Sequence, residues 1–467
     1  MSASHAVLVA PDAIRSRFSG AMSEMYRREV PQYGTLLDLV ADINARHLAD
    51  APGLEAALAR AGDLERLHVE RHGAIRLGTA RELSQARRIF AVMGMRPVGY
   101  YDLSVAGVPV HSTAFRPVTD EALAANPFRL FTSLLRLELI TDVALREEAA
   151  RILARRAIFT PRALALTALA ESAGGLTDGE ADEFVAEVRE TFRWHGESTV
   201  DASTYARLHD AHRLIADVVC FRGPHINHLT PRVLDIDAAQ AEMPRRGIAA
   251  KDVVEGPPTR RHPILLRQTS FKALQETVRF AGADEAGRHT ARFGEIEQRG
   301  MALTRAGRAL YDRLLAGVRD AAPAAAAGTA YDARLAAAFG AFPDDLETIR
   351  RDALAFFRYH LVADHPAAGA GASRDLDTLV AAGAVRAEPI VYEDFLPVSA
   401  AGIFQSNLGG TEQRSYRANE AREAFERDLG APVLDEFALY EAAQQRSIDA
   451  VLAALDARDR AAARAAA

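Results

Sequence analysis

Three short runs carry residue types able to hold a metal ion. They are His72-Gly73-Ala74-Ile75-Arg76, Ile226-Asn227-His228-Leu229-Thr230-Pro231-Arg232 and Phe293-Gly294-Glu295-Ile296-Glu297-Gln298-Arg299. Each of the first two contains His-x-x-x-Arg, and the third supplies carboxylates. Two imidazoles and one carboxylate make a mononuclear site with up to three open coordination positions, the pattern suited to Fe(II) and oxygen chemistry. Side chains alternate along a strand, so His72 shares a face with Arg76, His228 with Thr230 and Arg232, and Glu295 with Glu297. Glu295 and Glu297 therefore both remain eligible. His225 lies at an odd offset from His228 and faces the other way. A third match, His209 to Arg213, falls in a helical stretch. Arg76 sits about 13 Å of strand beyond His72. That reach suits a small acid bound to a metal at one end and to a guanidinium at the other. The competing reading makes His72 and His228 ordinary histidines, pairs Glu295 and Glu297 with Arg292 and Arg299, and gives Arg232 only a structural role.

The elements that must position these residues follow from hydrophobic spacing. Residues 1–65 read as an N-terminal helical segment, with Leu36, Leu37, Leu39 and Val40 at helical spacing. Residues 66–117 read as a strand–helix–strand–strand module: Arg71 to Gly78 a strand, Ala80 to Met93 a helix, then two strands split by Ala106-Gly107. Residues 118–220 read as a helical insertion, with Thr160-Pro161 opening one helix. Residues 221–300 hold a second module core, with strands at 226–236 and His289 to Glu297 and a short helix over Lys272 to Phe280. Residues 301–384 read as a second helical insertion. Residues 385–467 supply a strand and helices that complete the core. Two strand-rich islands, each with one His-x-x-x-Arg, suggest a duplicated module.

Composition limits the function classes. The chain has 467 residues, 49 % hydrophobic and 25 % charged, which suits a soluble protein of several structural units. A net charge of -7 and pI near 6.1 offer no basic stripe for nucleic acid. The single cysteine, Cys220, excludes a Cys-rich zinc site and reads as a small buried hydrophobe. With no signal peptide or membrane span in view, the expected location is the cytoplasm. Oligomeric state is not legible.

The third run resembles the iron-ligand strand of 4-hydroxyphenylpyruvate dioxygenase, a vicinal-oxygen-chelate enzyme, in which the first glutamate of a Phe-x-Glu-Ile-x-Gln-Arg run is the ligand. The whole chain more closely resembles the 2-oxoadipate dioxygenase/decarboxylase family, also called hydroxyglutarate synthase. The matching segments are the three runs above and Tyr392-Glu393-Asp394-Phe395-Leu396-Pro397-Val398-Ser399. The resemblance implies an α+β fold: vicinal-oxygen-chelate-like βαβββ modules forming a partly closed barrel around one metal, with large helical insertions. It implies Fe(II) held by His72, His228 and Glu295, with Arg76 on a substrate carboxylate and Val398 and Ser399 lining the substrate site. The implied reaction turns 2-oxoadipate and O2 into D-2-hydroxyglutarate and CO2 in lysine breakdown. A 2-oxo acid can chelate a metal through its carboxylate and keto oxygens and leave one position for O2. Two other readings stay open, a glyoxalase-type metal-dependent isomerase, lyase or hydrolase and a non-catalytic small-molecule binding protein.

Overall fold

The computed structural model describes residues 7–251, 254–271, 274–282, 286–290, 292–320, 329–362, 374–396 and 414–466. The chain divides into two units. Met1–Glu255, Gln268–Gln298 and Phe395–Leu434 form the first, and Gly256–Arg267, Arg299–Asp394 and Asp435–Ala467 the second.

In the first unit, helices Pro11–Glu29 and Pro31–Asp50 each begin on a proline, whose missing N–H costs nothing in a first helical turn. Ile14, Phe18, Met22, Met25 and Tyr26 recur every three or four residues and are buried on one face of the first helix. The main sheet is built from β1 (Arg71–Leu77), β2 (Arg96–Asp102), β3 (Val110–Arg116), β4 (Arg129–Leu135) and β5 (Leu229–Pro231), in the order β2-β3-β4-β1-β5. β1 runs parallel to β4 and antiparallel to β5. Parallel pairing of β1 with β4 needs a long crossover, and helix Ala80–Val92 with the β2-β3 meander supplies it. Thr79 caps that helix by accepting the Glu82 N–H at 3.2 Å. Its Leu83, Ala86, Ile89 and Phe90 share a core with Ile75, Leu77, Phe115, Leu130 and Leu134 from one face of the sheet. The opposite face of the sheet carries His72, Arg76 and Arg129, as strand alternation and the β1–β4 register require.

The remaining strands form two-stranded pairs. β6 (Leu266–Ser270) pairs with β9 (Glu295–Arg299), and β7 (Gln275–Arg279) with β8 (Ala286–Thr290). In the second unit, β10 (Phe357–Leu361) pairs with β11 (Val385–Pro389), and helix Glu436–Ala466 lies beside β10. There the Phe357 N–H donates to Gln444 Oε1 at 2.8 Å and the Tyr359 N–H to Ser447 Oγ at 3.1 Å. Helix and strand are thus mixed throughout. Among the described residues the strands make open sheets, and no closed barrel is present.

Several sequence expectations change: the strand read at 226–236 is only β5, with a helix from Ile236, and the strand read at His289 to Glu297 is split between β8 and β9. Residues 118–220 hold a strand, β4, as well as helices. All seven β4 residues are buried, since β1 and β3 flank it and both faces are covered. A strand buried on both faces loses the alternation that would reveal it. Residues 275–279 form β7 where a short helix was expected. Leu274 and Val278 lie four apart, which suits a helix face and one side of a strand equally, and pairing with β8 decides the matter. The stretch 301–384 likewise contains β10 among its helices.

A buried ion cluster fixes the polar end of β1. Glu70, fully buried, lies 2.9 Å from Arg129, 3.0 Å from Arg232 and 3.3 Å from Arg66. Asp63 lies 3.5 Å from both Arg66 and Arg232. Arg232, the arginine of the second His-x-x-x-Arg, therefore ties β5 to the start of β1. Removing the shared carboxylate leaves buried guanidinium groups without their main counter-charge. Glu70→Gln is expected to destabilise the protein by roughly 3–5 kcal/mol. Urea unfolding checks this: a lowered midpoint at unchanged slope is the expected result.

Candidate metal centre

β1 places His72 in the middle of the sheet, 1 % exposed. The next residue has to be small. A Cβ on Gly73 would meet Ile226 Cδ1 at 2.6 Å and the His228 carbonyl at 3.1 Å. Glycine thus lets the His228 segment approach β1 closely. β9 enters from the other side, where the Phe293 N–H donates to the Asn227 carbonyl at 3.0 Å and the Val233 N–H to the Glu297 carbonyl at 2.7 Å. The Tyr26 hydroxyl lies 2.7 Å from the Phe293 carbonyl and 3.1 Å from the Asn227 carbonyl, pinning both segments to the first helix. Burial raises the Tyr26 pKa, so it remains a donor.

These contacts bring His72, His228 and Glu295 together, with a potential ligand atom from each within 4.8 Å of the others. His72 Nε2 is 3.3 Å and His228 Nδ1 3.4 Å from Glu295 Oε2. The two imidazoles meet edge to face, centroids 5.2 Å apart. Glu297 occupies a different place, with Oε2 2.8 Å from Nδ1 of His72. One imidazole thus faces Glu295 with one nitrogen and Glu297 with the other. A histidine that ligates a metal usually donates its second N–H to a carboxylate, which fixes ring and tautomer. Glu297 stands in that supporting position.

Two further residues steady Glu295. Thr230 Oγ1 donates to its Oε2 at 3.1 Å and Gln268 Nε2, from β6, at 3.2 Å. Thr230 Oγ1 is also 2.9 Å from Nδ1 of His228. Phe395 packs against His72 and Phe293 against His228, with ring centroids 5.0 and 4.9 Å apart. The alternation of β5 predicted the Thr230 placement, whereas nothing local marked Gln268.

The donor chemistry fits a divalent cation. Glu295 and Glu297 are 7 % and 0 % exposed, so two negative charges are buried beside one ring. Burial opposes charge on His72, but Glu297 and Glu295 outweigh it and hold its pKa above the ordinary value. The pocket therefore attracts positive charge. Burial pushes His228 down to about 4, aided by the charges of His72 and Arg76, so its ring stays neutral and free to ligate. Arg292 and Arg299, the alternative partners of these carboxylates, have other partners as well. Arg292 pairs with Glu29 and Glu276, and Arg299 Nη1 donates to the carbonyls of Tyr392 and Asp394.

Arg76 lies 2.7 Å from Asp217, and His225 and His289 approach the same carboxylate at 3.3 and 2.9 Å. His225 thus points away from His228, as its odd offset requires. Asp217 and His289 carried no sequence signal. His209 is exposed on helix Ala202–Ala211. The Cys220 thiol is buried and raised to about 12, by burial first and then by Asp217, which removes it as a nucleophile. Val398 and Ser399 lie outside the described residues.

With this geometry in hand, comparison with known proteins places the chain. A sequence profile described as 2-oxoadipate dioxygenase/decarboxylase matches residues 18–407. The chain belongs to this family. It is accordingly an enzyme. Family relatives named 2-oxoadipate dioxygenase/decarboxylase include one from Pseudomonas putida, 60 % identical over 96 % of this chain and 98 % of the relative. Another, from Escherichia coli, is 58 % identical over 94 % of this chain and 98 % of its own length. A crystal structure of the hydroxyglutarate synthase from Pseudomonas putida in complex with 2-oxoadipate superposes with a TM-score of 0.90 at 59 % identity, covering 96 % of this chain and 99 % of that one.

The different placements of the two glutamates give a direct test. Glu295→Gln is expected to abolish stoichiometric Fe(II) binding, and Glu297→Gln to weaken it roughly 10- to 100-fold, the usual effect of losing a ligand's supporting partner. Titration calorimetry or metal analysis after dialysis separates them, and the reverse order would move the ligand by two residues.

Proposed function

We propose that this chain is an Fe(II)-dependent 2-oxoadipate dioxygenase/decarboxylase that converts 2-oxoadipate and O2 into D-2-hydroxyglutarate and CO2, in the lysine breakdown of the cytoplasm. The observation that carries this reading is the convergence of His72, His228 and Glu295 with Arg76 on the same face of β1. The relative solved with 2-oxoadipate supports the substrate. The strand order β2-β3-β4-β1, with a helix after β1, supports a βαβββ module of vicinal-oxygen-chelate type.

In this reading His72, His228 and Glu295 would hold the iron. Bound iron supplies the redox chemistry that couples O2 to loss of CO2. The atoms balance without a further reductant. Oxidative decarboxylation and hydroxylation of the shortened acid each give up an electron pair, and together these reduce O2. The protein's part is positioning. Glu297 keeps the His72 Nδ1 proton, so Nε2 presents its lone pair. Thr230 and Gln268 hold Glu295 in one orientation. Arg76 takes the distal carboxylate and so decides which carbon of the chain faces the metal. Phe293 and Phe395 keep water from the rings they cover. The site requires no general base.

Oxygen consumption by the Fe(II)-loaded protein checks the proposal. One O2 taken up per D-2-hydroxyglutarate formed from 2-oxoadipate is expected, with the activity lost in His72→Ala. No uptake with iron bound would favour a glyoxalase-type reaction instead. Arg76→Ala is expected to remove a charge-assisted contact of about 1.5–3 kcal/mol, raising KM for 2-oxoadipate roughly 10- to 150-fold.

A further inference from the structure

A second group of two histidines and a carboxylate lies in the first unit. Asp217, His225 and His289 are 6 %, 2 % and 4 % exposed, and a potential ligand atom from each lies within 4.8 Å of the others. The residue types match the first cluster, but the charge does not. Asp217 Oδ2 is 2.7 Å from Nη1 of Arg76, so a guanidinium already offsets this carboxylate. A divalent ion added here would leave a buried excess of positive charge beside Arg76, which is unfavourable. At the first cluster two carboxylates await such an ion.

The carboxylate has hydrogen-bonding partners without a metal. Burial alone would raise the Asp217 pKa, yet the charges of His225 and Arg76 and hydrogen bonds from both histidines hold it well below the usual range. An ionised carboxylate only accepts, so His289 Nε2 donates to Oδ1 at 2.9 Å. Nδ1 of the same ring lies 2.9 Å from the Tyr205 hydroxyl. His225 Nε2 approaches the same Oδ1 at 3.3 Å. Trp194 stacks parallel to His289, centroids 6.3 Å apart, and meets the His225 ring edge to face at 4.8 Å. Tyr205, His289 and His225 therefore fix Asp217 from one side while its other oxygen holds Arg76. Asp217 engages Nη1, and a guanidinium carries five N–H donors, so the group can hold a second carboxylate at the same time.

We infer that Asp217, braced by His289, His225 and Tyr205, is a positioning residue that presets the Arg76 guanidinium and so sets selectivity for 2-oxo acids bearing a second, distal carboxylate. The inference rests on the reading of Arg76 as the group that binds that carboxylate. An arginine already locked in its binding geometry loses less freedom when substrate arrives, which favours tight and selective binding.

The experiment compares 2-oxoadipate with 2-oxohexanoate, which keeps the 2-oxo acid and lacks the distal carboxylate. In Asp217→Asn the KM for 2-oxoadipate is expected to rise at least tenfold with kcat within threefold. The preference for 2-oxoadipate over 2-oxohexanoate, as a ratio of kcat/KM, is expected to fall at least tenfold. Arg76→Ala should lower the same ratio, and the double variant no further than Arg76→Ala alone. Asp217→Glu, which keeps the charge, should recover part of the preference. If Arg76→Ala lowers the ratio and Asp217→Asn leaves it unchanged, Asp217 does not position Arg76 and the binding role of Arg76 stands. If Arg76→Ala leaves the ratio unchanged, both ideas fall. A second measurement is independent of how well the variants fold. The wild-type protein loaded with Fe(II) or Zn(II) is expected to bind one ion per chain, and a second tightly held ion would overturn the inference by making this cluster a metal site.

Discussion

Two carboxylates on alternate positions of β9 lie buried against a single imidazole, and almost everything near the sheet's polar face serves to make that burial tolerable. Isolated, each charge would be expensive to remove from water. Here Glu297 takes one ring nitrogen of His72, Glu295 faces the other, and Thr230 and Gln268 donate to Glu295 from β5 and β6. The excess negative charge is what makes the pocket suited to a cation. Just before β1 the sign reverses at Glu70, where arginines outnumber carboxylates. The same strand thus joins an anionic pocket to a cationic cluster, with the intervening apolar layer on its other face.

The two histidine-carboxylate groups separate what composition alone would merge. Both combine two imidazoles with an acid, and both are buried. They differ in the partner of the carboxylate. At Glu295 it is a hydroxyl and an amide, which leave its charge in place; at Asp217 it is a guanidinium, which cancels it. Charge count, rather than residue type, distinguishes the two clusters.

Much of this was legible in the sequence, for identifiable reasons. β1, its following helix, β2 and β3 carry ordinary signals: an abrupt change of period, a threonine cap and a turn at Gly107 with positive φ. Parity placed His72 with Arg76 and turned His225 away from His228. β4 was hidden because it has no solvent face. Glu295 and Glu297 could not be separated by parity, since they share a face; the distinction lies in which ring nitrogen each one meets, a matter of register between strands far apart in sequence. Asp217 was hidden by its surroundings. It sits in helix Arg213–Val219 among Leu214, Ile215, Ala216, Val218 and Val219, and such a run reads as plain core.

The Tyr26 hydroxyl touches the carbonyls of Asn227 and Phe293, one residue before His228 and two before Glu295. These two contacts span 201 and 267 residues of sequence. Contacts of such long sequence separation form late and slowly in folding. The cluster of His72, His228 and Glu295 is therefore incomplete until β9 has joined β1 and β5. A truncation that removes the first helix would disturb this cluster although it takes away none of its three side chains.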